Sequence, residues 1–353
     1  MIRTVRIVGA GLIGTSVGLR LKSAGLSVEI TDKDQSAMKL AQDLIKSELI
    51  IAPDLIVVAV PTKINSEVVI QQLKANPNSR VCDLASIKSD LLLEVAKFSE
   101  LRKNFFSLHP MAGREFSGAE NSRADLFDGR AWIAITDSFQ NSESKGMAQQ
   151  LVDLCGGSLY WLTSAEHDQV VARISHLPQI LSSALASQML KINEDNLNLA
   201  GQGLRDLTRL ASADTGLWSQ ILLENEREIK PALMEMIQSL QQLLNNLDSR
   251  DINSIKKFIK DGNLGKSKIP GKHGAKNRDY SFLPVVIDDK PGELARIFNE
   301  CAKISVNIED LTIEHSPGQE TGLITLALSA RDCQALSSHL QSLQFKVHPI
   351  KNR

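Results

Sequence analysis

The sequence predicts an α/β protein: a doubly wound sheet, then an all-helical domain, then a small α+β domain of βαββαβ order. Three observations carry this. Strand and helix signals alternate over residues 1–158, and strand signals vanish over 159–261. A glycine- and lysine-rich stretch, 262–280, then reads as a linker to a second strand–helix pattern over 281–353. The 353 residues are 42% hydrophobic and 23% charged, with a formal net charge of −1. That balance suits a globular protein and gives no reason to expect nucleic acid or an anionic membrane as a partner. No apolar run approaches the ~20 residues of a membrane span. The chain enters a core strand at once, so no signal peptide is expected. Cys82, Cys155, Cys301 and Cys333 lack metal or disulfide spacing and read as buried hydrophobes in a reducing cytoplasm.

The first strand, Val5-Arg6-Ile7-Val8, runs into Gly9-Ala10-Gly11-Leu12-Ile13-Gly14, and a helix-compatible stretch follows. A strand, Gly-x-Gly-x-x-Gly and a helix in that order mark a Rossmann-type dinucleotide turn. The first glycine allows the turn, the second admits a pyrophosphate, and the third lets helix and strand pack closely. A second strand, Ser27-Val28-Glu29-Ile30-Thr31, ends in Asp32, near the ~20-residue offset of the acid that holds the ribose hydroxyls. A carboxylate there would repel a 2′-phosphate, so NAD is the expected cofactor; Lys33 beside it weakens that preference. Asp54-Leu55-Ile56-Val57-Val58-Ala59-Val60 is a continuous apolar run, as for a parallel strand covered on both faces, and stops at Pro61. The expected cofactor contacts are Gly9, Gly11, Leu12, Ile13, Gly14, Asp32, Val60, Pro61 and Ser86.

Three clusters suggest chemistry. His109-Pro110-Met111-Ala112-Gly113-Arg114-Glu115 leaves a strand at the sheet end where ligands collect. A histidine there can take a proton near neutral pH. Asp83-Leu84-Ala85-Ser86-Ile87-Lys88 leaves another strand; Ser86 could orient a histidine, touch a nicotinamide or cap the next helix. The third cluster is helical. Val170, Ile174, Leu177, Leu181 and Leu185 recur at helical spacing, placing Asp168, Ser175 and Gln179 roughly on the opposite stripe. Gly203-Leu204-Arg205-Asp206-Leu207-Thr208-Arg209 sets two arginines at i,i+4, with Trp218 further on. Arginine grips a carboxylate in a planar, bidentate way. Arg209, between Leu207 and Leu210, is expected in the more buried setting.

These residues carry a resemblance. His-Pro-Met-Ala-Gly-x-Glu-x-Ser-Gly (109–118), Ser-His-Leu-Pro (175–178) and Arg-Asp-x-Thr-Arg (205–209) together resemble the prephenate dehydrogenase family of tyrosine biosynthesis, from Val5 to about Asn246. The resemblance implies hydride transfer from the ring carbinol carbon of prephenate to NAD, with loss of the ring carboxylate as CO2, giving 4-hydroxyphenylpyruvate. The alternative within the family is an arogenate dehydrogenase, which forms tyrosine directly. By similarity His109 would act on the ring hydroxyl, Ser86 would support it, and Arg209 would bind a substrate carboxylate. Arg205, Gln179, Glu115, Asp206, Asp168 and Trp218 would shape or gate the pocket. The family usually carries a histidine where this chain has Gln179, and a small polar residue where it has Arg114. Asp288-Asp289-Lys290-Pro291-Gly292-Glu293-Leu294 resembles the signature of the ACT domain, an amino-acid-sensing module, which implies tyrosine as an effector and a homodimer.

Two other readings exist. A β-hydroxyacid dehydrogenase would place a lysine on the helical domain, and none lies between Leu151 and Gln188. A non-enzymatic regulator would leave His109 and Arg209 unexplained.

Overall fold

In the computed structural model, which describes residues 1–113, 117–269, 280–314 and 320–352, the chain begins with the expected alternation. Its elements are β1 (Thr4–Val8), α1 (Leu12–Ser23), β2 (Ser27–Thr31), α2 (Gln35–Ile45), β3 (Leu55–Val58), α3 (Thr62–Ala75), β4 (Arg80–Asp83), α4 (Ser89–Ala96), β5 (Phe105–Pro110), β6 (Ala131–Ile135), α5 (Ser142–Leu154) and β7 (Ser158–Leu162). The sheet runs β2-β1-β3-β4-β5-β6-β7, with β5–β6 antiparallel and every other pair parallel. All four β3 residues are buried, and their alternation sorts them between two cores. Leu55 and Val57 join the cluster of Val5, Ile7, Val28 and Ile30; Ile56 and Val58 join that of Val69, Leu73, Val81 and Phe105.

The sheet reaches Leu162, four residues past the expected boundary at 158, because Ser158–Leu162 adds the seventh strand. Its Tyr160-Trp161 pair has the high strand propensity that the preceding Gly156-Gly157 obscures in a local reading.

Helices follow: α6 (Ser164–Val171), a π-helical turn over Ala172–His176, α7 (Leu177–Gln188), α8 (Glu194–Leu197), α9 (Gln202–Thr208), α10 (Thr215–Glu224), α11 (Glu226–Asp248) and α12 (Ile252–Ser267). Thr163 and Glu166 close a capping box at the start of α6. Around the π turn the polar residues His167, Asp168, His176 and Gln179 are buried alongside Val171 and Ala172, while Ile174 is 60% exposed.

The chain divides into two compact units, Met1–Ile255 and Lys256–Arg353. The stretch read as a linker from 262 is helical through Ser267. Gly262 and Gly265 cost only about 1 kcal/mol each in a helix, which the flanking helix formers offset. Residues 270–279 of that stretch lie outside the described residues.

The C-terminal unit contains β8 (Ser281–Asp288), α13 (Glu293–Lys303), β9 (Asp310–Glu314), β10 (Thr321–Leu328), α14 (Ala330–Ser342), β11 (Lys346–Val347) and β12 (Lys351–Asn352). Its strands run β11-β8-β10-β9, all antiparallel, with β12 also on β8. The element order is the expected one, except that the last strand is split and β9 begins at Asp310 rather than Val306. Leu283, Val285, Ile297, Ile324, Leu326, Leu336 and Leu340 form its core. Among the described residues no helix is long and apolar enough to cross a membrane.

Candidate active site

The turn between β1 and α1 has the shape a pyrophosphate requires. Gly9 has φ +115°, and a Cβ there would enter the Ala59 carbonyl; a Cβ on Gly14 would enter the Gly9 carbonyl. Gly11 faces open space, and among the described residues no side-chain cap bond closes the α1 N-terminus that it precedes. Backbone N–H groups at Leu12 and Ile13 are therefore available to an anion. Asp32 accepts from Ala10 N at 2.7 Å and from Asp34 N at 2.8 Å, which fixes its carboxylate at the end of β2 beside this turn. Each oxygen keeps acceptor capacity for a ribose hydroxyl. Val60 and Pro61 leave β3, and Ser86 sits half-buried in the turn leaving β4. These residues fit a dinucleotide.

His109 lies near the C-terminal end of β5, opposite Ile133 of β6. Its Nδ1 is 2.8 Å from Nε2 of His167, whose Nδ1 is 2.7 Å from Oδ1 of Asp168. Asp168 also accepts from the backbone N–H groups of Lys88 (3.0 Å) and Ser89 (2.8 Å), capping α4 from a distant helix. Lys88 is a second hub. Its ammonium and the Asp83 carboxylate are both fully buried, 2.7 Å apart, and Nζ also donates to the Leu108 carbonyl at 2.7 Å. A third layer closes the cluster. Asn225 donates to the Asp168 carbonyl at 2.9 Å and lies 3.1 Å from Nδ1 of His176, and Trp218 stands edge-on to that imidazole.

This packing keeps the histidines neutral. Burial, together with His167, Lys88 and His176, holds His109 well below the ordinary histidine range. Burial lowers His167 too, outweighing the Asp168 hydrogen bond that raises it, and lowers His176 to about 4. For Asp168 burial pushes upward, but the bonds from His167 and Ser89 leave it below the ordinary carboxylate value. A neutral imidazole backed by an ionised carboxylate can accept a proton.

Several expected site residues sit differently. The hydrogen-bond partner of His109 is His167, not Ser86. Asp168 is 2% exposed, with its carboxylate committed behind His109 rather than lining or gating a pocket. Gln179 is also buried: its amide donates to the Leu210 carbonyl at 2.8 Å and to Ser183 at 3.2 Å, tying α7 to the turn that carries Arg209. Arg209 is exposed rather than buried, because Leu207 beside it is itself 66% exposed. Arg205 and Asp206 are exposed on the same short helix, held to the Ala200 carbonyl and the Gln202 amide. Glu115 and Arg114 lie outside the described residues. The sequence motifs contain His167, His176, Asp83 and Lys88 without pointing to a role for them, and Asn225 lies outside every motif. A signal existed for two of them: His167 directly precedes Asp168, and Lys88 closes the motif that Asp83 opens.

A glycine turn built for a pyrophosphate, with a neutral histidine at the C-terminal end of the same sheet, defines a dinucleotide-dependent oxidoreductase. Two domains of one family match the chain: "Prephenate dehydrogenase, nucleotide-binding domain" over residues 17–167, and "Prephenate dehydrogenase, dimerization domain" over 163–261. The chain belongs to the prephenate dehydrogenase family. It is 27% identical over 353 residues to the probable prephenate dehydrogenase NovF of Streptomyces niveus, covering 96% of this chain and 98% of that one. It is 28% identical over 303 residues to the prephenate dehydrogenase of Lactococcus lactis, covering 82% and 83%. Among solved structures, the Aquifex aeolicus prephenate dehydrogenase in complex with hydroxyphenyl propionate and NAD+ shares the fold. Its TM-score is 0.69 at 24% identity, over 76% of this chain and 99% of that one.

Proposed function

We propose that the chain oxidises prephenate with NAD and releases CO2 and 4-hydroxyphenylpyruvate. NAD, when bound, takes the hydride from the ring carbinol carbon. His109 accepts the hydrogen bond and then the proton of the ring hydroxyl, and returns it to the phenol oxygen as the carboxylate leaves and the ring becomes aromatic. Aromatisation drives the second half, so the protein chiefly orients the reactants. The observation that carries this reading is the neutral His109, backed by His167 and Asp168, at the C-terminal end of β5. Steady-state NADH production from prephenate, with arogenate as the rival substrate, tests it. Turnover of arogenate alone would replace it with the alternative.

Asp32 supports NAD over NADP, since its carboxylate stands where a 2′-phosphate would go. Asp32→Ser should raise kcat/KM for NADP relative to NAD; equal use of both cofactors by the unaltered chain would contradict the assignment. A homodimer through the helical domain is supported by Met234, Ile237, Leu240, Leu244 and Leu247, which form an apolar stripe on α11 with each residue at least half exposed. We further assign the C-terminal unit as an ACT-like module sensing tyrosine, on its βαββαβ order and on Gly292, at φ +96° before α13. Tyrosine should then bind more weakly in the presence of substrate, by linkage. The four buried free thiols support a reducing, cytoplasmic setting.

A further inference from the structure

We propose that His167 is a positioning residue which, tied to Asp168, dictates which ring nitrogen of His109 carries a proton and shares the proton that His109 takes up. This rests on the reading of His109 as the group facing the ring hydroxyl.

The proton positions follow from Asp168 outward, one hydrogen bond at a time. An ionised carboxylate only accepts, and Asp168 takes hydrogen bonds from Lys88 N, Ser89 N and Nδ1 of His167. The proton of His167 is therefore on Nδ1. A neutral imidazole has one N–H, so Nε2 of His167 carries a lone pair. That lone pair lies 2.8 Å from Nδ1 of His109, which must donate. Nε2 of His109 is then left with its lone pair, and it has no hydrogen-bond partner among the described residues. One buried carboxylate thus sets the state of a base two rings away.

Both rings must be neutral at rest for this assignment. The groups facing the pair are the Asp83 carboxylate at the end of β4, the Lys88 ammonium from the β4–α4 turn, Asp168 from α6 and His176 from the π turn. Burial and the Lys88 cation hold both imidazoles below their ordinary value. When Nε2 of His109 takes the hydroxyl proton, the Nδ1 proton can cross the 2.8 Å bond to Nε2 of His167. His109 is neutral again, and the imidazolium rests against Asp168. One proton enters at His109, one crosses to His167 and none leaves, and the steps reverse when the phenol oxygen is reprotonated. An apolar side chain at 167 frees His109 to adopt the other tautomer, with an N–H where the base should be.

The test compares His167→Leu with His167→Gln, whose Oε1 can still accept from His109. Ring-nitrogen NMR of the full chain reports the tautomer without substrate. His109 should be Nδ1–H in the unaltered chain and in His167→Gln, and Nε2–H in His167→Leu. The kcat of His167→Leu should fall by about 10²-fold or more, the scale of general-base effects, with KM and the Kd for NAD unchanged. His167→Gln should recover most of that loss. A His109 that is Nε2–H in the unaltered chain overturns the proposal, even if the leucine variant does not fold. So does a folded glutamine variant as impaired as the leucine one, or a leucine variant with unaltered kcat. Failure of the unaltered chain to oxidise prephenate would overturn the functional reading and leave the tautomer measurement standing.

Discussion

The sheet-borne and helix-borne halves of the site are built in opposite ways. Around His109 the polar groups are buried and linked: Asp83 with Lys88, Lys88 with Leu108, Asp168 with His167, and His167 with His109. Arg205, Asp206 and Arg209, on α9 and the turn after it, are exposed. The difference follows from the chemistry asked of each. A base must be neutral, and burial favours the neutral imidazole. An arginine stays charged in any protein setting, so burying it costs free energy without changing its state. The proton-handling half is preorganised within one chain. The half proposed to bind a carboxylate is exposed, and ion pairs there gain strength only when water is excluded.

The contrast can be broken most severely at Lys88. Lys88→Ala leaves Asp83 buried without its cation, which should destabilise the protein by about 3–5 kcal/mol, measured by denaturant unfolding. A loss under about 1 kcal/mol would mean that water reaches Asp83 and the half is not dry. Next comes His109→Asn, which should lower kcat by ~10²-fold or more with little change in the Kd for NAD. Because the His109 pKa is held down, the acid limb of kcat/KM in the unaltered chain should lie below the ordinary histidine value; a limb above it would place the base elsewhere. Arg209→Ala should raise KM for prephenate by roughly 10- to 150-fold, the ~1.5–3 kcal/mol of a charge-assisted bond. If KM barely moves, Arg205 is the next candidate for the carboxylate.

What the sequence disclosed follows the same division. The glycine turn, Asp32 and the order of the first strands were legible because each is a local pattern: consecutive residues with a fixed period or spacing. The place of His109 at the end of β5 was legible because a strand followed by a glycine turn is a local pattern too. His167 and Lys88 were legible only as neighbours of Asp168 and Asp83; their roles lie in partners 58 and 20 residues away, His109 and the Leu108 carbonyl. Asp168 and Gln179 were singled out, but for facing a pocket rather than for holding the chain together. The burial expected of Arg209 failed because apolar neighbours imply burial only if their own helix face is covered, and Leu207 is exposed. The linker began too early because Gly262 and Gly265 outweighed the helical run around them.

The smallest expected effect separates the two halves by acid. His109, His167 and His176 all have folded pKa values below the ordinary one, so the native state binds fewer protons than the unfolded chain once the pH drops under about 6.5. Stability is therefore full above that value and declines as the pH falls towards about 4, where His176 titrates in the folded state. Asp168 adds in the same direction at lower pH. Its folded pKa is depressed, so its contribution is present above the unfolded value and lost as the pH falls through the folded one. The expected record is a Tm that holds from pH 8 to about 6.5 and then falls by several degrees per ~1–2 kcal/mol lost. His176→Asn should flatten part of that fall, because its side-chain oxygen can still accept from Asn225 without taking a proton. Arg209→Ala should leave the slope alone, because Arg209 takes no part in the hydrogen bonds that link His109, His167 and Asp168. A flat Tm between pH 7 and 5 would show that water already reaches the histidines, and the contrast between a dry half and a wet half would fail.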